Sequence, residues 1–171
     1  MAEACGKLTG RPGVGFVTRG PGASNAAIGI HTAAQDSTPM IVFVGQVGGD
    51  FVDREAFQEI DYRQMYGSVA KWVAQIDRAE RIPEYVAHAY RIAMAGRPGP
   101  VVLALPEDML STRATCADAP RVEPVITAPD ASQVAVARAM LADARRPLVL
   151  VGGSRWDVAA CAALQQFAEA N

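Results

Sequence analysis

Residues 18–25 read TRGPGASN, where a short apolar run (13–18, GVGFVT) gives way to a stretch of small helix formers (23–34). Two glycines around Pro21 specify a tight, exposed turn, and Ser24 or Asn25 is placed to cap the helix that follows. At the carboxyl end of a buried parallel strand, such a turn lines a ligand crevice. Amide groups at a helix start suit an anion or a polar heterocycle there. A plain strand-to-helix turn is the competing reading. The spacing matches neither G-x-G-x-x-G nor a P-loop, which weakens the nucleotide reading.

The remaining chemically able residues form no comparable pattern. Asp50, Asp53, Glu55, Glu59 and Asp61 gather between a strand and a helix, but no metal-ligand spacing fits. They read as a solvated loop face rather than acid–base or metal groups. His31 and His88 fall inside helical patterns, where packed or surface histidines outnumber catalytic ones. Cys5, Cys116 and Cys161 are far apart and odd in number, so no metal or disulfide framework follows and a reducing cytosol is expected. Cys5 and Cys161, in helix-like segments, are expected to pack. Trp72 and Trp156 have no basic residues arranged around them as a groove and read as core or interface.

These residues need a scaffold, and the apolar pattern supplies one. Continuous apolar runs at 13–18, 40–47 and 100–105 and an alternating run at 70–76 read as strands. Helical spacing connects them, over 23–34 and over 79–95 (Ile82, Tyr85, Val86, Ala89, Tyr90, Ala93). Strands apolar throughout, separated by helices, predict an α/β fold: a parallel sheet flanked by helices. Residues 1–10 (MAEACGKLTG) read as the end of a helix closed by a glycine. Four prolines between 105 and 130 mark a linker. A second unit then shows helices at 132–144 and 157–170, a buried strand at 147–151 (PLVLV) and a turn at Gly152, Gly153 and Ser154.

Composition sets the outer limits. The chain has 171 residues, 50% hydrophobic and 20% charged, with net charge −2. That excludes a disordered polar chain and allows one substantial core, burying roughly 70% of the unfolded surface. No Lys/Arg run supports a nucleic-acid groove or a membrane patch, and no apolar run has the length of a membrane span. No targeting signal is legible at residues 1–10, and a cytoplasmic location is the expectation.

Several motifs in order resemble one family. The segment 6–47, GKLTGRPGVGFVTRGPGASNAAIGIHTAAQDSTPMIVFVGQV, is similar to the pyrimidine-binding domain of thiamine diphosphate enzymes, nearest the acetolactate synthase large subunit and its relatives. EAFQE at 55–59, Lys71-Trp72, GRPGPV at 96–101 and LPED at 105–108 extend the likeness over 1–110. PLVLVGG at 147–153 resembles the opening of the family's central domain. The resemblance implies a pyrimidine-binding domain at 1–110 without its N-terminal part, a Pro-rich linker at 111–129, and the beginning of an α/β central domain at 130–171.

The resemblance also implies roles. Thr18, Pro21, Gly22 and Asn25 would lie near the aminopyrimidine ring of thiamine diphosphate and across a domain interface. Gln58 would reach the reacting end of the cofactor as the catalytic residue of this chain, with Phe57 shaping the substrate pocket. Arg97 matches a position that contacts FAD in the flavin-carrying branch. No metal ligand is expected here: Mg²⁺ and the diphosphate would be held by a pyrophosphate-binding domain whose GDG…N motif does not occur in this sequence. The family's catalytic glutamate would lie upstream of the position matching Met1, and Cys5 stands where a tyrosine is common.

The implied parent is a 2-oxoacid decarboxylase and carboligase, two pyruvates giving 2-acetolactate and CO₂, with glyoxylate carboligase and oxalyl-CoA decarboxylase types as alternatives. The cofactor would act as an ylid and electron sink, and a neutral amide such as Gln58 would guide protons without adding charge. The parent would be a homo-oligomer, dimer or tetramer. The chain alone is expected to be a fragment or truncated product lacking catalysis. The competing class is a non-catalytic half-site or assembly module.

Overall fold

The apolar runs become four parallel strands: β1 (Gly13–Val17), β2 (Met40–Gln46), β3 (Trp72–Gln75) and β4 (Pro100–Pro106). Their order is β1-β2-β4-β3 in the computed structural model, which describes residues 1–153 and 156–170. Register runs Gly13 to Met40 to Pro100 at the amino edge and Val17 to Val44 to Ala104 near the carboxyl edge. The alternating run at 70–76 pairs as a strand only over Trp72–Gln75, because Tyr66 O holds the amide of Ala70 in the preceding turn.

Both sheet faces are covered, which is why the central strands β2 and β4 carry apolar residues at successive positions. On one face Met40, Val42, Val44, Val102 and Ala104 meet helix α2 (Gly20–Gln35) and the short helix α3 (Tyr62–Tyr66). On the other, Ile41, Phe43, Val101 and Leu103 meet helix α4 (Ile82–Met94) and Met109 of α5 (Glu107–Ser111). The segments leaving β1 and β2 therefore pass to one face, and those leaving β3 and β4 to the other. The change of side falls between β2 and β4, where open α/β sheets form a crevice at their carboxyl edge.

Helix α1 (Ala2–Thr9) ends as its sequence predicts, on Gly10 in the left-handed region at φ 67°, with the Gly10 amide on Gly6 O. It lies so close to the sheet that two glycines are obligatory. A Cβ on Gly6 would stand 2.2 Å from Pro39 O, and one on Gly13 1.8 Å from Ala2 O.

Two local expectations are corrected. Ser24 and Asn25 do not cap α2. Pro21 starts the helix earlier, Arg19 is the N-cap, and both residues lie inside the helix. The Ser24 hydroxyl donates back to Gly20 O at 2.9 Å. Residues 147–151 form no strand among the described residues: Leu148 and Leu150 are 90% and 95% exposed. An apolar run becomes a strand only beside a pairing partner, and no neighbouring strand offers one here. Gly152 and Gly153 have turn character only in part, and Ser154 lies outside the described residues. Residues 112–130 have no regular elements, and the helices α6 (Ala131–Asp143) and α7 (Val158–Ala170) bury no residue.

The close approach of α1 yields a contrast. Gly6→Ala should lower unfolding free energy by about 1–3 kcal/mol, because its new methyl meets backbone. Gly29→Ala, on α2 with nothing within 4 Å, should raise it by about 0.5–1 kcal/mol. Urea unfolding followed by circular dichroism checks both; equal effects would show that α1 is not docked as described.

Candidate functional site

The carboxyl edge is assembled from three segments: the start of α2, the loop 47–61 after β2, and the LPED turn after β4. Gly20 is the junction. Its amide donates to Gln58 O at 3.1 Å, and a Cβ there would stand 3.0 Å from that oxygen and 3.1 Å from Ile60 Cδ1. Only glycine lets the EAFQE segment seat on α2. Thr18, Pro21, Gly22 and Gln58 are thus brought to one place, with Asn25 one turn further along α2. Gly22 serves the turn itself: a Cβ there would lie 2.8 Å from Thr18 Cγ2. Thr18, Pro21 and Asn25 are exposed, Gln58 is half-buried, and Phe57 is 79% exposed.

The loop is tied at each end and in the middle. The buried Gln46 donates from Nε2 to Ile60 O at 2.9 Å and accepts the Val47 amide on Oε1 at 2.9 Å. Glu59 accepts the amides of Asp53 (2.9 Å) and Ala56 (3.2 Å), one on each oxygen. Asp61 caps α3 through the amides of Arg63 and Gln64. Asp53, Glu55 and Gln58 adopt positive φ, at 61°, 54° and 68°. Each such non-glycine residue costs roughly 1–2 kcal/mol, so the ties are offsetting strain. The acidic cluster thus divides: Glu59 and Asp61 are structural acceptors, and no group of three or more His, Cys, Asp or Glu among the described residues could hold a metal.

The LPED turn borders the crevice between β2 and β4. Asp108 Oδ2 accepts the Gly49 amide at 3.1 Å, and its side chain packs 3.6 Å from where a Cβ on Gly48 would be. Glu107 faces Arg19 at 3.8 Å. These contacts decide between anion and heterocycle at the α2 start. The Gly20 amide is committed to Gln58, Pro21 has none, the Ala23 amide bonds Arg19 O, and Arg19 faces Glu107 at 3.8 Å. What this edge offers is neutral: a hydroxyl (Thr18) and two carboxamides (Asn25, Gln58), able both to donate and to accept. That donor set fits an uncharged nitrogen heterocycle and does not fit a diphosphate or a divalent cation.

Arg97 is elsewhere. It precedes β4 and therefore sits at the amino edge, roughly 20 Å from the carboxyl edge by strand length. Its guanidinium caps the end of α2, donating to Ser37 Oγ at 2.6 Å and to the carbonyls of Ala34 and Gln35 at 3.1 Å each. His31 is exposed, while His88 meets the Trp72 ring edge-on at 4.6 Å. Trp72 also stacks on Tyr85 and packs against the α4-side core, as expected of a core residue. Trp156 is 44% exposed, its indole donating to Gly152 O. The expected packing of Cys5 and Cys161 is corrected: both are exposed, since their helix faces point away from any core.

Sequence reading missed α3 and the anchors Gln46, Glu59, Tyr62, Tyr66 and Asp108. Asp61 before YRQMY was the available helix-start signal. The rest are tertiary contacts: Tyr62 donates to Gly45 O at 3.0 Å and Tyr66 to Ala23 O at 2.5 Å, pinning α3 to β2 and α2.

Comparison with known proteins points to one family. The model of the family described as thiamine pyrophosphate enzyme, N-terminal TPP binding domain, matches residues 1–65. The acetolactate synthase large subunit of Corynebacterium glutamicum is 35% identical over 98% of this chain and 28% of its own length. The isozyme 2 large subunit of Escherichia coli is 36% identical over 96% of this chain and 30% of its own length. The Lactococcus lactis large subunit is 44% identical over 67% of this chain and 20% of its own. The chain thus spans less than a third of the length of these relatives. Among the described residues no helix is long and apolar enough to cross a membrane.

The tyrosine pair makes stability fall at alkaline pH. Burial pushes the Tyr62 phenol up to about 12, with Tyr66 adding to the shift and Arg19 opposing it. Burial also raises Tyr66. The folded state therefore holds these protons after the unfolded chain begins to release them near pH 10, so their contribution is complete below pH 10 and is lost towards 12. Unfolding free energy measured from pH 9 to 12 should drop, and Tyr62→Phe should flatten part of that drop; an unchanged slope would contradict the burial.

Proposed function

The chain belongs to the thiamine pyrophosphate enzymes through its N-terminal TPP binding domain, and on that premise we propose that its carboxyl edge binds the aminopyrimidine half of thiamine diphosphate. The observation that carries this reading is the neutral donor–acceptor set of exposed Thr18 and Asn25 and half-buried Gln58, gathered by the Gly20–Gln58 junction. Thr18 and Asn25 orient the ring, Pro21 and Gly22 shape the surface under it, and Gln58 directs a hydrogen bond at the reacting end without placing a charge there. Phe57 forms the apolar wall towards the substrate. The diphosphate and its Mg²⁺ are held by residues other than those described, because the Gly20 and Ala23 amides at the α2 start are already bonded and Arg19 faces Glu107.

The whole protein, on this reading, is a 2-oxoacid decarboxylase and carboligase of the acetolactate synthase kind, acting on pyruvate in the cytoplasm as a homo-oligomer. When bound, thiamine diphosphate supplies a nucleophilic carbon and an electron sink for decarboxylation. This chain supplies orientation and water exclusion. Exposed Phe57 and Phe51 fit a face that a second protomer covers. FAD, in the flavin-carrying branch, belongs to the Arg97 edge and hence to a separate site.

The test is a ¹H–¹⁵N NMR titration of the chain with 4-amino-2,5-dimethylpyrimidine. Amides of Thr18, Gly22, Asn25 and Gln58 should shift, and those around Arg97 should not. Asn25→Ala should weaken binding by about two- to tenfold, the worth of one hydrogen bond, with little change in stability, since Asn25 is exposed. Absence of shifts at these four amides at millimolar ligand would overturn the reading.

A further inference from the structure

The loop 47–61 is unusual in where it puts its strain. Asp53, Glu55 and Gln58 all hold left-handed φ, and Gln58 is the residue that must present its side chain to the ring. A left-handed residue reverts to ordinary backbone unless its surroundings over-determine it. At Gln58 the following residue supplies the restraint. Glu59 reaches back with both carboxylate oxygens, to the amides of Asp53 at 2.9 Å and Ala56 at 3.2 Å, while its own amide donates to Ala56 O at 3.0 Å. Together these bonds fold residues 53–59 into a closed ring with Phe57 and Gln58 at its crown. The Gln58 carbonyl then docks on Gly20.

The geometry points to Glu59 as the positioning residue of this site: a carboxylate clamp that holds Phe57 and Gln58 in the conformation the ligand meets. This rests on the aminopyrimidine reading above. It gives the acidic residue of EAFQE a role in backbone geometry. Glu59 also lines a cavity of ≈260 Å³ beside Asp53, Asp61, Gln46 and Gln75 at the carboxyl ends of β2 and β3, so water and ligand have access to the clamp from that side. Charge-assisted acceptance by a carboxylate is stronger than acceptance by a neutral amide, so glutamine at 59 keeps the shape and loses much of the hold.

The experiment uses the full chain and four variants: Glu59→Gln, Glu59→Ala, Gln58→Gly and the Gln58→Gly/Glu59→Ala double. Trypsin cleavage after the exposed Arg54, inside the ring, is timed by mass spectrometry under native conditions, with thermal unfolding as a check on the fold. Glu59→Ala should speed this cleavage about tenfold, and Glu59→Gln by less. In the Gln58→Gly background, where glycine takes φ 68° without strain, the effect of Glu59→Ala should shrink to about threefold or less. A merely structural glutamate would give the same factor in both backgrounds, and that result would overturn the proposal. Should Glu59→Ala fail to fold, Glu59→Gln provides the same cycle. The aminopyrimidine titration separates the two readings. Wild-type shifts at Gln58 that persist unchanged in Glu59→Ala would sink the clamp and leave the binding site standing. A coupled cycle with no wild-type shifts would keep the clamp's hold on the loop and remove the aminopyrimidine reading.

Discussion

The amide of Gly20 meeting the carbonyl of Gln58 at 3.1 Å is the contact on which the carboxyl edge depends. It joins the first residue of α2 to the crown of the loop after β2, segments separated by most of a βα unit. It requires a residue with no side chain at 20, since Gln58 O and Ile60 already fill that space. It also uses an α2 amide that would otherwise attract an anion. One hydrogen bond thus both assembles the site and changes its chemical preference from charge to neutral donor–acceptor pairs.

The same logic extends across the sheet. The side-switch between β2 and β4 is where an open α/β fold ordinarily receives a ligand. Here Asp108 borders it from the LPED turn by accepting the Gly49 amide, and Glu107 pairs with Arg19 beside it. The outer rim, from Thr18 to Asn25 and round to Phe57, lies beside this turn and is largely exposed. The helices beyond residue 130 bury nothing and take no part in this edge.

Fold class was legible because parallel strands covered on both faces are apolar at successive positions, as in MIVFV and VVLAL. Helix α1 and its Gly10 stop were legible from local chemistry alone. The turn at 18–25 was placed correctly while its caps were not, because Pro21 sets the helix start and outranks the polar residues after it. The strand expected at 147–151 failed for a tertiary reason: apolar content names a candidate, and only a neighbouring edge makes a strand. Glu59, Asp108 and the tyrosines of α3 were invisible for the same reason, since their partners lie elsewhere in the chain or in backbone amides that no side-chain pattern reveals. Arg97 shows the converse: its motif was legible, but its cap on the end of α2 appears only once Ala34, Gln35 and Ser37 are in place.

The central claim is that a neutral heterocycle sits against the Gly20–Gln58 junction. Intermolecular nuclear Overhauser effects from the methyl protons of bound aminopyrimidine locate it directly. The account predicts contacts to protons of Thr18, Asn25 and Gln58 and to none around Arg97. Contacts instead to Tyr90, Pro83 and Val86, which line the ≈510 Å³ cavity between α4 and the segment 118–124, would contradict it.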